Sequence, residues 1–156
     1  MPEEWLIDGY NLLHSALSAG EKGSDISLPR FFSRIADLAS SQKHLILMVL
    51  DGSGNDKELD THRTSFFRVV YSKKISADAY IERYLFENRS RATMTVVTND
   101  RAIIDLARGG GARVLSTAEF SELLQETKLK NADILFKEKV KSHGFNRPFD
   151  QKLKDK

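Results

Sequence analysis

Apolar residues along the chain follow two patterns that take turns. Short runs apolar at consecutive positions include Trp5-Leu6-Ile7, ending at Asp8-Gly9, and residues 44–50 (HLILMVL), ending at Asp51-Gly52. Residues 65–71 (SFFRVVY), 93–98 (TMTVVT) and 112–115 (ARVL) complete the set. Runs apolar on both faces are what strands of a covered parallel sheet present. Between them the period lengthens to that of a helix. Residues 28–40 open with Pro29, which a first helical position tolerates, and put Phe31, Ile35, Leu38 and Ala39 on one face. Residues 76–88 offer Ser76 as N-cap and a stripe of Ala77, Ile81, Tyr84 and Leu85. Residues 100–108 end in Gly109-Gly110-Gly111, a C-cap and turn. Two further helices are expected over residues 117–128 and 131–142, and the last dozen residues lack a period and are expected to be mobile. Strands alternating with helices imply βαβ units on a parallel sheet, hence an α/β domain. Residues 52–64 form the one long internal loop, a length often tied to function.

Composition narrows the class. At 156 residues the chain suits one domain. The absence of cysteine excludes a disulfide scaffold, a thiolate zinc site and a cysteine nucleophile, and fits a reducing cytoplasm. The acidic start is no signal peptide, and no apolar run approaches the roughly 20 residues that cross a bilayer. A cytoplasmic protein without a membrane partner is expected. The net charge of +2 hides an asymmetry: residues 1–127 carry −3 and residues 128–156 carry +5. The expected organisation is a body over 1–127 and a basic helical extension over 128–156, with Lys128, Lys130, Lys137, Lys139 and Lys141 as its cationic surface.

The chemistry lies in where the acids fall. Asp8 and Asp51 end the first two strands, Asp78 opens the helix after the third, and Asp100 follows the fourth. In a parallel sheet all four lie at the carboxyl edge, where α/β proteins place their sites. If the first and fourth strands are neighbours, Asp8, Asp78 and Asp100 share one cleft. Two carboxylates about 4 Å apart repel by roughly 4 kcal/mol at an effective dielectric near 20. Such a cluster must protonate, pair with cations or bind a divalent ion, and oxygen-only donors select Mg²⁺ or Mn²⁺. Metal-dependent phosphodiester hydrolysis is the chemistry that follows. Taken singly, each Asp is more often a cap or a turn residue, so the joint placement carries the expectation.

The segments Ile7-Asp8-Gly9-Tyr10-Asn11, Ser76-Ala77-Asp78-Ala79-Tyr80-Ile81-Glu82 and Val97-Thr98-Asn99-Asp100-Arg101 resemble the NYN domain, in particular its YacP-like branch within the PIN-like nucleases. The resemblance covers residues 4–125. It implies a PIN-like, Rossmann-like three-layer fold with strand order 3-2-1-4-5 and a metal-dependent endoribonuclease site. Asp8, Asp78 and Asp100 would be its acidic core, Asp51 a further metal ligand, Asn11 a residue orienting ligand or substrate phosphate, and Glu82 a support for the metal shell. The glycine-rich loop after Asp51 and the basic extension depart from the family pattern. The implied partner is RNA, single-stranded by expectation, with any ribonucleoprotein particle left unnamed by the sequence.

Lys73, Lys74 and Arg101 are candidates to contact phosphate, with plain solvent-facing charge as the competing account. Tyr10, Phe66 and Tyr80 could stack on bases, although core packing is the expectation for Phe66 and Tyr80. His62, in the long loop, is the one histidine placed for a catalytic role. Two other functions compete with a nuclease. One is an RNA-binding module without activity. The other is an aspartyl-phosphate phosphatase with Asp8 as nucleophile, but such enzymes carry a second Asp two residues on, where this chain has Tyr10.

Overall fold

The computed structural model describes residues 3–18, 28–88 and 93–142 of the chain. Five strands, β1 (Glu4–Asp8), β2 (Leu45–Leu50), β3 (Phe67–Tyr71), β4 (Met94–Val97) and β5 (Arg113–Leu115), form one sheet. All pairings are parallel and the order is β3-β2-β1-β4-β5. The expected α/β architecture and strand order are therefore present. β1 lies in the centre, paired to β2 from Glu4↔Leu45 to Asp8↔Val49 and to β4 from Glu4↔Met94 to Ile7↔Val97. A central strand must be apolar on both faces, which is why Trp5, Leu6 and Ile7 run consecutively and are all buried.

The described residues form six helices: α1 (Gly9–Ser18), α2 (Leu28–Gln42), α3 (Asp56–Asp60), α4 (Ala77–Glu87), α5 (Arg101–Gly109) and α6 (Thr117–Ser142). Ala77, Ile81 and Leu85 of α4 and Ile103 and Ala107 of α5 share a buried cluster with Leu6, Val49 and Val96. On α2 the predicted stripe of Phe31, Ile35, Leu38 and Ala39 is buried in full, and Phe32 meets Phe67 of β3 with ring centroids 6.3 Å apart. Phe67 and Arg68, adjacent on an edge strand, thus point to opposite faces.

Four elements differ from expectation. α1 starts at Gly9, directly after β1, with no linking residue. A side chain at Gly9 would meet Leu50 Cδ2 at 2.5 Å and the Val49 carbonyl oxygen at 2.9 Å, so only glycine lets α1 leave β1 beside β2. The long loop holds a helix, α3, whose N-cap Asn55 accepts N–H bonds from Lys57 (3.0 Å) and Glu58 (3.4 Å). The two helices expected after β5 are one, because no Gly or Pro interrupts residues 128–131. Its start is a capping box, in which Ser116 N–H donates to Glu119 Oε1 (2.8 Å) and Glu119 N–H to Ser116 Oγ (3.1 Å). The strand predicted from Ser65 begins at Phe67, since Thr64 Oγ1 takes the N–H groups of Phe66 and Phe67 and forms a turn there.

Two compact units divide the chain, Met1–Glu122 and Leu123–Lys156, and the first contains the whole sheet. In the second, Leu129, Leu135 and Phe136 are exposed. The tail expected to be mobile lies outside the described residues. Among the described residues, no helix is long and apolar enough to cross a membrane.

Candidate active site

β1 to β4 all end at the same edge, and each end delivers an acid or its holder. Asp8 is the last residue of β1 and only 5% exposed. The Asn11 N–H donates to its Oδ1 (3.3 Å), so Asp8 also serves the open first turn of α1. Asp51 follows β2. Its Oδ1 accepts the Ala77 N–H at the start of α4 (3.0 Å) and the Ser72 hydroxyl (3.5 Å). The loops after β2 and β3 are tied together here: Gly52 N–H donates to Ser72 Oγ (3.1 Å) and Lys73 N–H to the Gly52 carbonyl (2.7 Å). Both Gly52 and Lys73 adopt positive φ, +92° and +63°, to make that turn. Asp78 stands in the first turn of α4, and Glu82 is one turn further on, exposed. Asp100 is the N-cap of α5, its Oδ1 accepting the Ile103 N–H (3.1 Å).

These acids share one electrostatic field. Burial, opposed by the Asn11 N–H and reinforced by the charges of Asp78, Asp100 and Asp51, pushes the Asp8 carboxyl up to about 6. Burial, then Asp100, Glu82 and Asp51, also raises Asp78. The positive ends of α1, α4 and α5 point at this edge and offset part of the repulsion. The structure places Asp8, Asp51, Asp78 and Asp100 at this one edge, within reach of one another's charge. Among the described residues, no group of three or more His, Asp or Glu side chains is arranged to enclose a metal ion. Backbone donors hold one oxygen each of Asp8, Asp51 and Asp100. The donor set itself, oxygen throughout and one member buried, suits a hard divalent ion.

The other candidates fall as follows. Asn11 Oδ1 accepts the Asn99 N–H (2.8 Å), so this side chain pins the loop between β4 and α5 to α1. Lys73 Nζ lies 2.9 Å from Asp56, and Arg101 Nε lies 3.6 Å from Asp105 on its own helix. Both expected phosphate contacts are thus paired locally. Lys74 is exposed on the turn before α4. Tyr10 is exposed, whereas Phe66 and Tyr80 are half-buried beside cavities rather than enclosed in the core. His62 packs edge-on against Phe32, 5.1 Å between centroids, which makes it a packing residue. Asn99 is a residue the sequence did not single out. Its Nδ2 donates to Thr117 Oγ1 (2.7 Å) and its Oδ1 accepts the Thr117 N–H (3.0 Å), locking Asp100's loop to the start of α6. The only signal for it was its place inside Thr98-Asn99-Asp100.

A sequence model of the YacP-like NYN domain matches residues 5–156. The chain belongs to that family. NYN domains are PIN-like nucleases, a group that generally uses divalent metals, so family membership supports a nuclease-related function. The match runs through the basic C-terminal stretch, beyond the 4–125 expected from the motifs. No curated protein matches the chain. Among solved structures, the crystal structure of Rae1 (YacP) from Bacillus subtilis is similar with a TM-score of 0.68 at 19% identity, over 93% of this chain and 86% of that one. A mutant form of the same protein gives 0.68 at 20% identity, over 88% and 84%. At that identity the likeness establishes the fold.

Proposed function

We propose that the protein is a divalent-metal-dependent endoribonuclease acting on single-stranded RNA in the cytoplasm. The observation that carries this is the coupling of Asp8, Asp51, Asp78 and Asp100 in one field at the carboxyl edge of a PIN-like sheet. Asp8, Asp78 and Asp100, with Asp51 beside them, would hold Mg²⁺ or Mn²⁺. When bound, such an ion supplies Lewis-acid stabilisation of charge on the phosphate being transferred. The chain's own contributions are separate. Asn11 and Asn99 fix the loop that presents Asp100, and the tied turns at Gly52 and Lys73 fix Asp51. Glu82 adds negative charge behind Asp78 and so strengthens attraction for a cation. Lys74 is the exposed cation nearest in sequence to Asp78 that could meet substrate. We further propose that residues 1–127 are the nuclease body. The +5 of residues 128–156 would then draw in a polyanion that the acidic edge repels.

The test is purified protein with single-stranded RNA, the matching DNA, and p-nitrophenyl phosphate, each with and without Mn²⁺. Internal cuts in RNA that require the metal support the reading. Hydrolysis of the small ester alone would move the assignment to a phosphatase, and RNA binding without cutting would make the protein a binding module.

A further inference from the structure

Two cavities lie side by side where β3 forms the edge of the sheet. The first, about 260 Å³, runs past the amino ends of the strands at Glu4, Leu45 and Met94. The second, about 370 Å³, reaches Ser72 and Lys73 after β3. Arg63, Arg68 and Tyr80 line both, so the two cavities adjoin at these side chains, and together they make up a trough beside β3. Its far end meets the acidic edge, because Ser72 Oγ donates to Asp51.

The lining suits an extended anion with flat groups. Arg63 and Arg68 are exposed, and among the described residues neither guanidinium makes an ion pair or a side-chain hydrogen bond. Asp56, which also lines the second cavity, is already paired with Lys73. Glu4 and Asp60 line the trough too, so attraction for an anion is local to the two guanidinia rather than spread over the surface. A guanidinium is a planar fork that matches a phosphate. Tyr80 is half-buried, packs against the core cluster and lines both cavities. Tyrosine rings are platforms on which unpaired bases stack.

We propose that this trough holds the stretch of RNA beside the phosphodiester that is cut, with phosphates on Arg63 and Arg68 and a base on Tyr80. The inference rests on the ribonuclease reading and adds where the strand lies. It also accounts for the pairing of Lys73 and Arg101 with local acids, since the phosphate contacts come from other residues.

The test measures binding of a fluorescein-labelled oligouridylate to the full chain in EDTA, so that cutting cannot interfere, by anisotropy at several salt concentrations. Arg63→Glu with Arg68→Glu should weaken binding about tenfold or more and reduce the salt slope by about 1.4, at about 0.7 per phosphate contact on single strands. Tyr80→Ala should weaken binding about tenfold at every salt concentration, leaving the slope unchanged, and Tyr80→Phe should restore it. Thermal melting confirms that the variants fold, and Arg63→Gln with Arg68→Gln replaces the charge reversal if it does not. Wild-type affinity and slope in the folded arginine variants would overturn the trough while leaving the nuclease reading intact. A wild-type protein that neither binds nor cuts RNA would overturn both.

Discussion

The two ends of the sheet treat negative charge in opposite ways. At the amino end the carboxylate of Glu3 is met by many donors. Its Oε1 accepts the Trp5 indole N–H (3.0 Å) and the Arg113 guanidinium (3.1 Å), its Oε2 accepts Thr95 Oγ1 (3.3 Å), and His44 Nδ1 stands 3.9 Å away. His44 and Arg113 also lie against the Trp5 ring, at 5.0 and 5.9 Å from its centroid. At the carboxyl end four aspartates share a few backbone donors, and the nearby cations Lys73 and Arg101 are paired elsewhere. A satisfied carboxylate ties β1 to β4 and β5, while an unsatisfied set stores affinity for a cation. Surplus charge marks function more clearly than charge alone.

The largest expected effect tests whether the surplus is used. Asp78→Asn should fold as the wild type and lose about 10²–10³-fold of its RNA cleavage rate, the equivalent of several kcal/mol at 1.36 kcal/mol per tenfold. Gel analysis of end-labelled RNA reads this directly, and undiminished cutting would reduce the acidic edge to a set of helix caps. Next comes the amino end. Glu3→Ala strands three donors, so about 1–3 kcal/mol of stability should go, lowering the melting temperature by roughly 2–4 °C per kcal/mol. Cleavage per folded molecule should not change. If it falls as well, the two ends are coupled and the contrast fails.

The pH dependence separates the ends by sign. With its folded pKa raised to about 6, Asp8 binds its proton more tightly in the native state. That stability is fully present below 3.8 and is lost as pH rises through 6, in protein free of divalent ions. Asp8→Asn keeps an oxygen for the Asn11 N–H, so it should flatten that window and raise the melting temperature above it. Adding Mg²⁺ or Mn²⁺ at pH 7.5 should raise the wild-type value instead, by mass action. His44 gives the smallest effect and the reverse sign. Burial lowers its pKa from 6.5, with Arg113 adding and Glu3 opposing. Stability is complete above about 6.5 and declines as pH falls below it, because the unfolded chain takes up the proton first. His44→Phe, which keeps the ring on Trp5, should remove that decline in urea titrations at stepped pH.

The acidic edge was legible because consecutive apolar runs that stop at an Asp report both a strand and its carboxyl end. Asp8, Asp51 and Asp100 needed only that pattern, and the strand order followed once the motifs resembled a family. Other features depend on contacts between distant segments. α1 was hidden because Asp8 both ends a strand and serves the next helix, leaving no loop to read. Asn99 gains its role only when β4 and β5 lie side by side and bring Thr117 to it. The local pairing of Lys73 depends on α3, a helix of five residues below the length at which periodicity speaks. Arg68 reads as a charge interrupting a strand, and its place beside Tyr80 requires knowing that β3 is an edge.

The central position of β1 has a bearing on how the protein comes into being. β1 is the strand around which the acidic edge is assembled, yet its second neighbour, β4, begins 90 residues after it, at the pair Glu4↔Met94. On a ribosome adding about 5–20 residues each second, several seconds pass before β4 exists to close that side. Until then Asp8 and Asp51 can sit on paired strands while Asp100 has nothing to stand on. Contacts between segments so far apart are also slow to form after synthesis. A chain cut short before β4 would carry three of the four aspartates and no assembled edge, so the activity we propose switches on only once β4 and Asp100 have been made.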